Sequence, residues 1–181
     1  MKYEVDIGTI LIAKPFMEDK RFEKTIILIV EVSSEGTVGF IINKETAQPV
    51  NIIIENCPKL NINVKYGGPV STDNLFFIHQ NYDLKTSNKK MKAGIFWGGE
   101  LEDVIKKYQS GELSINEILF FIGYTGWEKN QLEEEIKEGS WIISDTKLTK
   151  INETLDWSKL LVDINKEYEV WAKAPSNFHL N

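Results

Sequence analysis

Ile118-Leu119-Phe120-Phe121-Ile122-Gly123-Tyr124-Thr125-Gly126-Trp127-Glu128-Lys129-Asn130-Gln131-Leu132-Glu133-Glu134-Glu135-Ile136 decides how this chain folds. The run from Ile118 to Ile122 is apolar at every position, which suits a strand covered on both faces. Two glycines within Gly123-Tyr124-Thr125-Gly126-Trp127 read as a turn. The Gln/Glu-rich stretch after it reads as a helix from about Glu128 to Glu138. In that helix Leu132 and Ile136 face inward, Gly139 is the stop, and Glu133 to Glu135 fall near the middle. Trp141-Ile142-Ile143 follows as a strand.

The same alternation extends upstream. Ile7 to Ala13 reads as a strand stopped by Pro15, since proline lacks the ladder N–H. Thr25 to Val32 and Thr37 to Ile42 read as hairpin partners around Ser33-Ser34-Glu35-Gly36. Pro49 suits the first turn of a helix whose Val50, Ile53, Ile54 and Cys57 form one apolar stripe. Short strands at Val64–Tyr66 and Asn74–His79 flank a tight Gly67-Gly68-Pro69-Val70 turn. Ile95-Phe96-Trp97 is another strand. Leu101, Val104, Ile105 and Tyr108 mark a helix ended by Gly111, and Ser114 with Glu117 forms a capping box for a single turn. Trp157, Leu160, Leu161 and Ile164 repeat the helical spacing. Strands and helices mix without a βαβ rhythm, which predicts one α+β domain over residues 1–181.

With 181 residues and one cysteine, the chain can bury a core without disulfides. Neither a leader pattern nor an apolar run of membrane-spanning length is evident, so the expectation is a cytoplasmic protein with no membrane contact. Residues 1–90 balance 11 Lys/Arg against 11 Asp/Glu, whereas residues 91–181 carry 10 against 16. Proteins that grip nucleic acid normally show the opposite bias, so direct DNA binding is not expected. The basic loop at Lys85, Lys89, Lys90 and Lys92 has no interleaved aromatics for stacking bases.

Catalytic patterns are thin. His79 and His179 are the two histidines, and with a single cysteine they make no metal-ligand cluster. His79, at a strand end, reads better as a structural residue bonding to backbone than as a general base. Cys57 falls on an apolar stripe, where a thiol acts as a small hydrophobe. Gly67-Gly68-Pro69-Val70 lacks the endings of nucleotide-binding loops. It offers either a tight turn or a backbone surface that a ligand can approach closely.

In sequence order, several short motifs resemble the YqgE/AlgH family from Gly8 to about Trp157. They are Leu11-Ile12-Ala13-x-Pro15 with Asp19 and Phe22, Gly39 to Asn43, and Gly67-Gly68-Pro69-Val70 followed by Phe76 and His79. The most specific is Gly123-Tyr124-x-Gly126-Trp127 with Gln131, Leu132, Glu135, Ile136 and Trp141. Val32 departs from the family's common His, and Glu45 stands after Lys44 where Pro is usual. The resemblance implies a mixed β-sheet bent into a pseudo-barrel with flanking helices, with no established enzyme activity and no obligatory cofactor; no catalytic or metal-binding residue is expected from the residue patterns above. The candidate ligand- or partner-binding residues are Asn43, Gly67, Gly68, Pro69, His79, Tyr124, Trp127, Gln131 and Glu135.

The expected function is a non-enzymatic binding or regulatory module acting through a protein or small-ligand contact. Alternatives are a transcriptional regulator contacting DNA, and a hydrolase or transferase using His79 with Glu135 or Asp19. Asn43, the 67–70 turn and the 123–131 segment are expected to gather at one sheet edge. Trp127 and Gln131 are expected to anchor the helix, leaving Glu135 open to a partner.

Overall fold

The computed structural model describes residues 4–49, 63–80, 84, 89–91 and 94–174. Among the described residues ten strands follow in chain order. They are β1 (Ile10–Ala13), β2 (Ile26–Val32), β3 (Gly36–Ile41), β4 (Glu45–Pro49), β5 (Asn63–Tyr66), β6 (Val70–His79), β7 (Lys89–Lys90), β8 (Phe96–Trp97), β9 (Ile118–Glu128) and β10 (Trp141–Ser144). The helices are α1 (Leu101–Ser110), α2 (Gln131–Glu138), α3 (Trp157–Ile164) and the short α4 (Glu169–Ala172). The sheet runs β10-β1-β2-β3-β9-β6-β8-β7, with β4 and β5 attached through β9. It is mixed: β5 lies parallel to β9, and the other described pairings are antiparallel. The sheet curls into a half-barrel with helices packed on it, a single α+β domain.

Consecutive apolar residues in β1 and β2 serve two faces, as side-chain alternation requires. Ile10, Ile12, Ile26, Leu28 and Val30 share one core with Trp157 and Leu161 of α3. Leu11, Ala13, Ile27 and Ile29 share another with Leu132 and Ile136 of α2. A third cluster joins Val104 of α1 to Phe77 and Phe120. Gly111 and Gly139 end α1 and α2 in the left-handed conformation, as their positions in the sequence predict. The Ser114/Glu117 capping box also forms.

The sequence pattern predicts a turn at Gly123–Trp127, but β9 continues through it for 11 residues to Glu128. Neighbouring strands override the glycines: Thr37, Val38 and Gly39 of β3 pair with Trp127, Gly126 and Thr125. The helix consequently starts at Gln131 rather than near Glu128, after Asn130 in left-handed conformation. Glu133 and Glu134 therefore sit in its first turn, where the helix dipole favours carboxylates, rather than near its middle. At the other corrected position, Pro49 closes β4 instead of opening a helix. Residues 50–62, including Val50, Ile53, Ile54 and Cys57, lie outside the described residues, as do Lys85, Lys92 and His179.

Gly67 and Gly68 carry the chain from β5, on one side of β9, to β6, on the other. The crossing presses backbone on backbone. A Cβ on Gly67 would overlap Gly123 O, one on Gly68 the Tyr124 carbonyl, and one on Gly123 the Gly68 carbonyl. Gly67 N donates to Ile122 O at 2.8 Å, and Gly67 O accepts from Ile41 N at 2.8 Å. Gly67, Gly68 and Gly123 are buried at this crossing, so of the 67–70 turn only Pro69, half-buried, and Val70, exposed, reach the surface.

Candidate functional site

Trp127 is the next-to-last residue of β9, Glu135 lies one turn into α2, and Trp141 opens β10. The left-handed Gly139 reverses the chain, so the strand before the helix and the strand after it both reach the same helical turn. Trp127 Nε1 donates to Glu135 Oε2 at 2.9 Å, and Trp141 Nε1 donates to the same oxygen at 2.6 Å. Gln131 Nε2 donates to Glu135 Oε1 at 2.8 Å, while Gln131 Oε1 accepts from Glu128 N at 2.9 Å. Glu135 is thus a hub rather than a side chain left open. Both indoles are nearly buried, at 6% and 3% exposure, so each needs an acceptor for its N–H.

The connection from β1 to β2 faces this hub. Lys14 N donates to Ser140 O at 3.0 Å, fixing the connection against the end of α2. Asp19 caps a 3-10 turn at Lys20–Phe22 by accepting from Arg21 N, and Arg21 forks onto its carboxylate, Nη2 to Oδ2 at 2.6 Å. The Arg21 side-chain hydrogen bond holds the Asp19 carboxyl below its ordinary value. Phe22 meets Trp141 edge-on at 5.6 Å, and Trp141 meets Trp127 at 5.8 Å.

Between these parts lies an open cleft of about 620 Å³. It is lined by residues 14–19, 21 and 22, by Pro69, Val70 and Thr125–Trp127, and by Gln131, Glu135 and Glu138–Trp141. Four carboxylates, Glu18, Asp19, Glu135 and Glu138, share it with two cations, Lys14 and Arg21. Phe16 and Val70 present exposed apolar side chains there.

Of the candidate residues, Pro69, Trp127, Gln131 and Glu135 line this cleft, while the others are placed elsewhere. Asn43 Oδ1 accepts from Ile26 N and its Nδ2 donates to Lys24 O, clamping the start of β2. Tyr124 lies edge-on to Phe76 at 5.4 Å and packs against the core. His79 has no exposure, stacks on Phe96, and places Nε2 3.2 Å from Gly98 O. It is not among the cleft residues, so it does not meet Glu135 or Asp19 there. Lys14, Phe16, Glu18, Arg21 and Glu138 join the cleft without having been picked out by the sequence pattern. For the first four the signal was the non-periodic Pro15, Asp19 and Phe22 motif, which no strand or helix stripe explains; Glu138 carried none.

Among the described residues no group of three or more His, Cys, Asp or Glu is placed to hold a metal ion. No helix among them is long and apolar enough to cross a membrane.

Comparison with known proteins gives consistent results. A family model described as AlgH-like matches residues 10–173. A UPF0301 protein of Cytophaga hutchinsonii is 33% identical over 178 residues, covering 96% of this chain and 98% of its own. A UPF0301 protein of Bacteroides fragilis is 37% identical over 179 residues, covering 96% and 90%. The solution structure of the AlgH protein from Pseudomonas aeruginosa superposes with a TM-score of 0.71 at 24% identity, covering 97% and 99%. A crystal structure from Corynebacterium diphtheriae superposes at 0.74 with 18% identity, covering 96% and 95%.

Proposed function

The chain belongs to the AlgH-like family, and from that premise we propose that it works as a non-enzymatic binding module of the cytoplasm, taking a protein segment or small ligand into the cleft beside Glu135. The observation that carries this reading is convergence. Pro69, Trp127, Gln131 and Glu135, far apart in sequence from Asp19 and Phe22, line one cavity with them. Its volume falls in the range of about 300–1,000 Å³ typical of ligand sites. Rigid strand ends and a short helix hold the lining, the arrangement on which binding residues usually sit.

The chemistry of the lining favours binding over turnover. Glu135 is committed to two indoles and Gln131, and Asp19 to Arg21, which leaves neither poised as a general base. The ionisable groups are predominantly acidic, which disfavours a phosphate backbone as the occupant.

The test is an ¹⁵N-resolved NMR titration of the full chain with a fragment library, run beside a mixed-sequence DNA duplex. Ligand-induced shifts clustering on Trp127, Gln131, Glu135 and Trp141 are expected. Shifts confined to other surfaces, or sub-micromolar salt-dependent binding of the duplex, would overturn the reading.

A further inference from the structure

We infer that the occupant of the cleft is an arginine of an extended segment of a partner protein, whose guanidinium is received by the cleft carboxylates with an aromatic face beside it. This deepens the binding reading given above and rests on it.

Glu135 is the first support. Its carboxylate accepts from two indoles and one amide, all neutral, so its negative charge is balanced by no cation in direct contact. A carboxylate has about four acceptor positions, and three are taken here, leaving one at Oε1. Glu18 and Glu138, in the same cleft, have neither a hydrogen bond nor an ion pair from their side chains among the described residues. A cavity with surplus carboxylates and few cations is complementary to a cationic ligand.

Arg21 is the second support, because it shows which cation the lining fits. Its Nε lies 3.0 Å from both oxygens of Asp19 and its Nη2 2.6 Å from Oδ2, while its guanidinium carbon stands 6.0 Å from the Phe22 ring centroid. A planar fork on a carboxylate beside an aromatic ring is what guanidinium offers and ammonium does not. The pair is largely exposed, 62% for the arginine and 35% for the aspartate, so an incoming arginine can compete for Asp19. Arg21 acts as an internal stand-in for the ligand.

The size of the cleft argues for a segment rather than a small guanidine. A single guanidinium fills only part of about 620 Å³. Exposed Phe16 and Val70 add apolar surface that neighbouring side chains of a peptide can cover.

The test titrates the ¹⁵N-labelled full chain with a capped pentapeptide carrying arginine between leucines. Its citrulline counterpart and arginine amide are titrated alongside, and the indole N–H signals of Trp127 and Trp141 are followed. The arginine peptide should bind at least about tenfold more tightly than the citrulline peptide, the size expected of charge-assisted hydrogen bonds. Arg21→Ala should tighten binding by about two- to fivefold by removing an exposed competing ion pair. Equal binding of the arginine and citrulline peptides overturns the inference, as does arginine amide binding as tightly as the peptide. Unchanged or weaker binding by Arg21→Ala overturns the stand-in role. If fragments shift the cleft signals but the arginine peptide does not, the inference falls and the binding reading stands. If neither does, both fall.

Discussion

The indole of Trp127 donates to Glu135 Oε2 across 2.9 Å, tying the end of β9 to the middle of α2. Trp141 reaches the same oxygen from β10. One carboxylate therefore joins two strands and the helix between them, and the cleft takes its shape from that joint.

Removing either side of the joint should be costly. Trp127→Ala deletes a nearly buried ring and is expected to cost about 3–5 kcal/mol. Glu135→Ala leaves two indole N–H groups without their acceptor and is expected to cost about 2–4 kcal/mol. Urea denaturation of the single and double variants should show a coupling of at least about 1 kcal/mol, since the two residues are in contact. Strictly additive losses would mean that the bond carries no stability.

The glycine crossing should tolerate no side chain. Gly68→Ala and Gly123→Ala force a methyl into backbone at positive φ, and little folded protein is expected from either. Gly111→Ala is the matched control. Its left-handed backbone matches that of Gly123 but nothing lies within 4 Å, so its cost should stay near 1 kcal/mol. Circular dichroism and urea midpoints distinguish the cases, and equal losses at Gly123 and Gly111 would contradict the crossing.

Asn43 should matter for stability and not for the cleft. Asn43→Ala removes two bonds to the backbone at Lys24 and Ile26, and an expected loss of about 1–3 kcal/mol follows. The Trp127 and Trp141 indole signals should keep their positions. Movement of those signals would link Asn43 to the site.

Asp19 should titrate below an ordinary aspartate, because its ionised form accepts from Arg21. A carboxyl depressed in the folded state stabilises it above the unfolded value, and that contribution is lost as pH falls through the folded value. Carboxyl ¹³C titration should therefore show a low midpoint in the parent protein. Arg21→Ala should raise the midpoint toward the ordinary value, the backbone N–H of residue 21 still donating to the carboxylate, with little change in overall stability because the pair is exposed. An unchanged midpoint in the variant would remove Arg21 as the cause.

Local sequence determined the parts whose causes are local. Apolar runs marked β2 and β3, apolar spacing with a glycine stop marked α1, and Ser114 with Glu117 marked a capped turn. The order of short motifs was enough to indicate the family. Tertiary structure decided the rest, because the deciding partners lie far away in sequence. Gly123–Trp127 is a strand since β3 pairs with it, and Gly67 and Gly68 are required since β9 crosses beneath them. From the sequence, Glu135 reads as a carboxylate left open to a partner. Chain reversal at Gly139 brings Trp141 back beside Trp127, and those two indoles give the carboxylate its place.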